Sequence, residues 1–578
     1  MSPCYKWYAV QHMGITLSSS VIYGSEYNDQ LLRSTPLNLY RPLICTESLK
    51  VHMMCSNPAL RGMRLWVVLG RFGQASASLF PSKSVQILAS FPNLLLPAPM
   101  VRLAFLVASL SATAISQPFA PLKNDVNVIE AVGPTIPADQ WFESQLLDHF
   151  DTTNTQTWKQ RYHFNNAWAT GPNAPVFVQI NGQTGADPKA VTSKSRFMNE
   201  LAKKYGALTV SLEHRFYGQS QPTGDLSVES YQYFTMKQAL ADIATFQDYF
   251  NSAFNLTTNN KWVLFGSSYA GMLTTYAKAK YPNRYAGSFA SSAPIQLKAD
   301  FFEYADVVAF GLKKVGGTAC FNTVQTALKQ FHQLVQSTKP TDVAQLKKSF
   351  KPCSPMKTDS DRATLEWWLF DKFQGAAQYD GQQDDGLAFV CDMFTNTTTT
   401  ATPLERLAKY AKHYWDSSKC TGSDFNTEIL SPLLDTSMAN NAPRGWFYMC
   451  CNELGAAQTT ALSSSLFREL GYVTYDRIYQ PMCDQAFGIK DTKARVDAGN
   501  AYFGGVHMDV PNVVWTNGNL DPISAMGFTN TTTPVNPRSD VVFIDGTSHC
   551  ADVYTGKELI VPQWAHDRVE RNIKRFLE

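Results

Sequence analysis

From about residue 141 onward, short apolar runs alternate with stretches of helical period. Ala174 to Gly182 (APVFVQING) predicts a strand, residues 193–206 (SKSRFMNELAKKYG) a helix, and Ala207 to Arg215 (ALTVSLEHR) the next strand. Residues 235–254 (TMKQALADIATFQDYFNSAF) predict a longer helix. Trp262 to Phe265 reads as a buried strand, Met272 to Lys280 as a short helix stopped by Pro282, and residues 286–294 (AGSFASSAP) as another strand. Strands alternating with helices imply crossover connections and a parallel sheet covered by helices, an α/β fold.

Between about residues 300 and 500 the rhythm changes. This stretch is helix-rich, includes the polar tract TNTTTTATP, and reads as an insertion. The strand pattern resumes with Asn512 to Asp521 (NVVWTNGNLD) and Ser539 to His549 (SDVVFIDGTSH), and the chain closes on an amphipathic helix, QWAHDRVERNIKRFLE. The expected organisation is a core in two parts, 115–300 and 501–578, interrupted by a helical segment at 301–500. No internal repeat is visible.

Residues 1–99 show neither sustained periodicity nor paired turn signals and are left unassigned; translation starting at Met100 is the expectation, with an extended leader or a membrane-anchoring prefix as the alternatives. From Met100 the chain reads MVRLAFLVASLSATAIS: Arg102 precedes an apolar run, Leu103 to Leu110, and Ala112 and Ala114 supply a small-x-small cleavage pattern. Residues 100–114 therefore predict a secretory signal peptide. Its apolar run is well short of the roughly 20 residues that span a bilayer, so no stable membrane anchor is expected.

Composition narrows the function classes. At 578 residues, 44% hydrophobic and 17% charged, the chain is an ordinary globular protein too long for one simple core, and a formal charge of +2 without a basic stripe argues against nucleic acid as a partner. Beyond the first 99 residues stand eight cysteines: Cys320, Cys353, Cys391, Cys420, Cys450, Cys451, Cys483 and Cys550. An even number in an exported chain suits disulfides, and eight cysteines allow 105 pairings. If all eight pair, Cys550 must join one of the other seven, with Cys483 the expected partner because it lies nearest the exit of the insertion; the alternative is a free thiol. No CxxC pair points to zinc, and no cofactor is implied. Asn255, Asn396 and Asn530 head glycosylation sequons.

The stretch KWVLFGSSYAGML carries the chemistry. A nucleophile on a tight strand-to-helix turn needs small residues two positions before and after it. Gly266 and Ala270 hold those places around Ser268, whereas centring on Ser267 would put Phe265 and Tyr269 there. A serine hydroxyl needs a base and an acid to orient that base, and in this topology they follow later strands in the order serine, acid, histidine. Asp521 follows VVWTNGNL and His549 follows VVFIDGTS, with Asp545 and Asp552 as rival acids too close in sequence to His549. Backbone donors for an oxyanion are expected from Tyr269 and from the loop Asn181 to Gly185, with Gly182 and Gly185 letting the backbone approach. The readings that share this triad are a peptidase and a carboxylesterase or lipase; a catalytically silent binding protein is the third.

GSSYAGML, TNGNLDP and GTSHCAD, together with WFESQLLDHFD, LEHRFYGQSQP and QALADIATF, resemble the S28 serine peptidases, from about Trp141 to the C-terminus. That family contains lysosomal Pro-X carboxypeptidase, dipeptidyl peptidase II and the thymus-specific serine protease. The resemblance implies an α/β-hydrolase core with an inserted helical cap, the SKS domain, and Ser268, Asp521 and His549 as triad. It further implies an exopeptidase acting on proline-containing peptides, a secreted or lysosomal/vacuolar location, and a homodimer among the oligomeric states. Two departures stand out. Met449 occupies a cap position where the family often has glutamine, and Ser548 precedes His549 where the carboxypeptidase branch has a second histidine. Which end of a peptide is cleaved is left open.

Overall fold

Eight strands build the central sheet. In the computed structural model they are β1 (Gln140–Leu146), β2 (Thr157–Asn165), β3 (Val176–Ile180), β4 (Leu208–Leu212), β5 (Trp262–Ser267), β6 (Gly287–Ser291), β7 (Val513–Gly518) and β8 (Asp540–Ile544). Their spatial order is β1-β2-β4-β3-β5-β6-β7-β8. From β4 to β8 neighbouring strands run parallel, while β1 and β2 add an antiparallel edge. This is the α/β-hydrolase fold.

The near-continuous apolar strands are covered on both faces. Successive side chains alternate sides: Phe177, Val263, Phe265, Phe289 and Val514 pack with helices α1 (Phe197–Tyr205) and, at the chain's end, Gln563–Leu577. Val176, Val178, Leu264, Val513 and Trp515 face the opposite core, which includes Leu240 and Ile243 of α2 (Met236–Ala253) and Met272 and Leu273 of α3 (Tyr269–Lys280). The C-terminal helix puts Ala565, Val569, Ile573 and Phe576 on its buried stripe, as its amphipathic pattern requires.

Between β6 and β7 the chain is mainly helical. This cap contains α4 (Glu303–Gln336, kinked at Gly317), α5 (Asp359–Gln378), α6 (Leu387–Thr395) and α7 (Asn441–Met449), and its last helix ends at Phe503. Three disulfides staple it: Cys320–Cys391, Cys353–Cys420 and Cys451–Cys483. Cys450 and Cys550 are free thiols. The expected Cys483–Cys550 bridge is therefore absent, because Cys483 sits on a cap helix opposite Cys451, with Cα atoms 5.4 Å apart. Cys550 instead lies at the strand ends, its amide donating to Ser292 Oγ at 2.9 Å. Asn255, Asn396 and Asn530 are all exposed.

The described residues are 137–578 except 399, 415–419 and 557–560, together with three strands nearer the N-terminus. Those three, Thr46–His52, Arg64–Gly70 and Gln86–Leu88, pair antiparallel within a separate unit, Met1–Ile115. The signal-peptide stretch at 100–114 lies outside the described residues. Among the described residues, no helix is long and apolar enough to cross a membrane, and no group of His, Cys, Asp and Glu could hold a metal ion.

Candidate active site

Ser268 stands between β5 and α3, and its backbone (φ 55°, ψ −129°) is one that L-residues rarely adopt. The corner is tight for a physical reason. A Cβ on Gly266 would lie 2.4 Å from the Ala270 carbonyl oxygen and 2.6 Å from its carbon, so only glycine fits two residues before Ser268. Ser267, by contrast, is the last residue of β5 and pairs in the sheet with Ser291. The strained residue is thus Ser268, half-buried, with its amide donating to the Ser291 carbonyl at 2.8 Å.

Asp521 and His549 come from the loops after β7 and β8. His549 Nδ1 lies 3.0 Å from both carboxylate oxygens of Asp521, and both side chains are buried. Asp521 Oδ1 also accepts the Ile523 amide at 2.9 Å, which fixes the carboxylate plane. Burial opposes charge on the imidazole, but the Asp521 carboxylate and the Cys550 sulfur beside it outweigh burial and hold His549 well above its ordinary value. Its other nitrogen, Nε2, is buried with no hydrogen-bond partner among the described residues. The serine and histidine segments meet at the end of β6: Ser268 is tied to Ser291, and the residue after His549 is tied to Ser292.

The rival acids have other work. Asp552 is buried and accepts Ser291 Oγ at 2.6 Å and Thr516 Oγ1 at 2.5 Å, anchoring the histidine loop to β6 and β7. Asp545 is exposed and pairs with Lys314 of α4 at 2.6 Å.

Tyr269 opens α3, so its amide has no acceptor within the helix. The loop after β3 reaches it at Gly182, whose missing Cβ would lie 3.5 Å from the Ala270 nitrogen and 3.6 Å from the Tyr269 ring. Gly185 points elsewhere: its missing Cβ would face Gly218 at 3.2 Å, Glu213 at 3.4 Å and Arg161 at 3.5 Å. Asn181 is likewise occupied, its side-chain amide donating to Ser211 Oγ and the Leu212 carbonyl.

Several residues that position these loops carry no signal of their own in the sequence. Buried Glu213 takes Arg161 Nη2 at 2.5 Å and the Ala186 amide at 2.8 Å on one oxygen, and Arg161 Nε and the Gln219 amide on the other. One ion pair thereby fixes the loops after both β3 and β4. Next to it, Arg215 pairs with Asp242 of α2 through two bonds of 2.6 Å, and His149 Nε2 lies 2.7 Å from the same carboxylate. His214 Nδ1–H donates to the Arg215 carbonyl at 2.6 Å, so Nε2 accepts from the Tyr269 hydroxyl at 3.1 Å. Burial drives His214 down to about 4, which keeps it neutral and this tautomer fixed. Apart from Arg161, which stands within β2, these residues lie within LLDHFD, LEHRFYGQS or QALADIATF, and the partners of Glu213 and Arg215 are distant in sequence.

Comparison with known proteins bears on the family of the whole chain. The family model for serine carboxypeptidase S28 matches residues 145–568. A Caenorhabditis elegans relative named as a serine protease is 33% identical over 444 residues, covering 71% of this chain and 79% of that one. The mouse thymus-specific serine protease is 30% identical, covering 73% and 84%, and the bovine lysosomal Pro-X carboxypeptidase 24% identical, covering 67% and 77%. With most of its length matched by the family model and its sheet in α/β-hydrolase order, the chain belongs to the S28 serine carboxypeptidase family and is a serine peptidase.

Proposed function

We propose that Ser268, His549 and Asp521 form the catalytic triad of an exopeptidase that cleaves peptide bonds next to proline through an acyl-enzyme. The observation that carries this reading is the buried Asp521 carboxylate, 3.0 Å from His549 Nδ1 through both oxygens, on a histidine loop tied to the end of β6 at Ser292 as Ser268, held at φ 55°, is tied to it at Ser291. Asp521 keeps the proton on Nδ1, which leaves the unpartnered Nε2 to take the Ser268 proton as the hydroxyl attacks the carbonyl. Nε2 then returns the proton to the leaving amine. Water repeats the sequence in reverse to free the acyl group. The Tyr269 amide and the backbone at Gly182 are the donors for the oxyanion, while Gly185 packs against the Arg161–Glu213 pair.

Two features support exopeptidase action beside proline. The cap hydrogen-bonds the histidine loop at the strand ends, which favours short peptides or free termini over internal bonds. The family description and the bovine relative's name supply the proline preference and the carboxypeptidase direction as one alternative, the dipeptidyl peptidase direction being the other. The three disulfides fit an oxidising compartment, and the exposed sequons and the signal-like run at 100–114 support passage through the secretory pathway. Incubating purified protein with matched peptides ending in Pro-X or beginning with X-Pro, with products identified by mass, tests the proposal. Release of the terminal X or of the X-Pro dipeptide supports it; cleavage only at internal bonds without proline contradicts it.

A further inference from the structure

The backbone of the histidine loop is gripped from the cap. His549 N–H donates to the Gln378 carbonyl at 3.0 Å, at the last residue of α5. Gln382, in the turn between α5 and α6, donates through the same Nε2 to Ser548 Oγ at 2.9 Å and to the His549 carbonyl at 2.7 Å. Ser548 Oγ in turn donates to the Asp380 carbonyl at 2.7 Å. Four bonds therefore join three cap residues to two consecutive residues of one core loop. The grip is itself braced: Gln378 Oε1 accepts the Tyr304 hydroxyl at 2.6 Å, and its Nε2 donates to Tyr379 Oη at 2.9 Å. The Tyr379 ring stands edge-on to His549, with centroids 6.5 Å apart. No covalent bridge holds this loop, since Cys550 is free.

From this geometry we infer that Gln382 is a positioning residue for the base: by bonding both Ser548 and His549 it makes the seating of the cap and the alignment of the imidazole a single event. The inference rests on His549 being the base. Asp521 fixes the ring from one side, but a ring follows its backbone, and the backbone on either side of the His549 Cα is held by cap groups. A displacement of about 1 Å at a catalytic group can lower the rate by roughly 10²-fold. Gln382 touches no reacting atom, so its effect reaches the substrate only through His549.

The test compares Gln382→Ala, Gln382→Glu and Ser548→Ala with Gln383→Ala in the full chain, using a chromogenic peptide or short ester and thermal melting. Gln383 is the adjacent control, because its Nε2 donates only within the cap, to the Gly375 carbonyl at 3.1 Å. Gln382→Ala should lower kcat roughly 10- to 100-fold while KM changes less than about twofold and the melting temperature stays with that of Gln383→Ala. Gln382→Glu keeps the volume and loses the donors, so it should not rescue the rate, and Ser548→Ala should fall between. Combined with His549→Ala, Gln382→Ala should cost nothing further, because the group it positions is gone. A kcat within twofold of wild type, or an equal loss in Gln383→Ala, overturns the inference while the triad stands. Full activity in His549→Ala would overturn the triad, and the inference with it.

Discussion

Asp521 offers both of its carboxylate oxygens to a single nitrogen of His549, at 3.0 Å each, from a site with no solvent exposure. A carboxylate so placed can do two things for the imidazole: choose its tautomer and stabilise its positive charge. Both follow from burial, because in a low-dielectric site the pair interacts strongly and neither partner can turn toward water.

Replacing Asp521 by Asn separates the two roles. The amide keeps the shape but removes the charge that holds His549 above its ordinary value. Only neutral imidazole accepts the serine proton, so wild-type activity falls as pH drops through this raised value. Asp521→Asn should lower kcat on the order of 10³- to 10⁴-fold, and the acid limb of its residual activity should move to lower pH. A pH–rate profile of both proteins reads the shift; an unmoved limb with near-normal kcat would assign the acid elsewhere.

Glu453 gives a pH-dependent stability of the opposite kind to a salt bridge. Its carboxylate accepts the amide of Met236, the first residue of α2, at 2.6 Å, and burial pushes it up to about 7 from an ordinary value of 4.5, against the pull of that amide, Lys237 and Arg495. Because the folded value is raised, the stability tied to this group is fully present below about pH 4.5 and is lost as pH rises through about 7. Glu453→Gln keeps an acceptor for Met236 and never ionises. It should match wild type near pH 4.5 and exceed it at pH 8 by roughly 1–3 kcal/mol in urea unfolding. A less stable variant at pH 8 would mean that the negative charge at the start of α2 is worth more than its burial costs.

Cysteine accessibility follows from the pairing. Alkylation of native protein without reductant should modify Cys550, which is half-buried, while Cys450 reacts only after unfolding and the other six cysteines of residues 137–578 are recovered as three linked peptides. Peptide mapping by mass spectrometry reads this directly. A linked Cys550 peptide from active protein would contradict the arrangement.

How much of this was legible in the sequence depends on how far apart the interacting residues lie. Strands β3 to β8 announce themselves as apolar runs because both faces of the sheet are covered, and the serine corner is visible because Gly266 and Ala270 answer a steric demand only two residues away. Strands β1 and β2 are harder to read. They form the antiparallel edge, and Gln145, Gln160 and Arg161 interrupt any apolar run while being buried and bonded. The three strands of the first unit are hard to read for a related reason: short polar-rich segments such as TESLKVH define a strand only through their partner. The Arg161–Glu213 and Arg215–Asp242 pairs bring together residues 52 and 27 positions apart, which composition cannot reveal. An even cysteine count favours complete pairing, but Cys450 lies in the cap and Cys550 on the loop after β8, and both are free. What ties the histidine loop to the cap is a glutamine, a residue type with no motif of its own.

The most direct test of the account is the site of covalent labelling by a fluorophosphonate, read by peptide mass spectrometry in wild type, Ser267→Ala and Ser268→Ala, alongside peptide hydrolysis. The account predicts one adduct, on Ser268, in wild type and Ser267→Ala. In Ser268→Ala it predicts no adduct and a loss of hydrolysis on the order of 10³-fold or more in a protein that still melts cooperatively. An adduct on Ser267, or undiminished hydrolysis by folded Ser268→Ala, would contradict it.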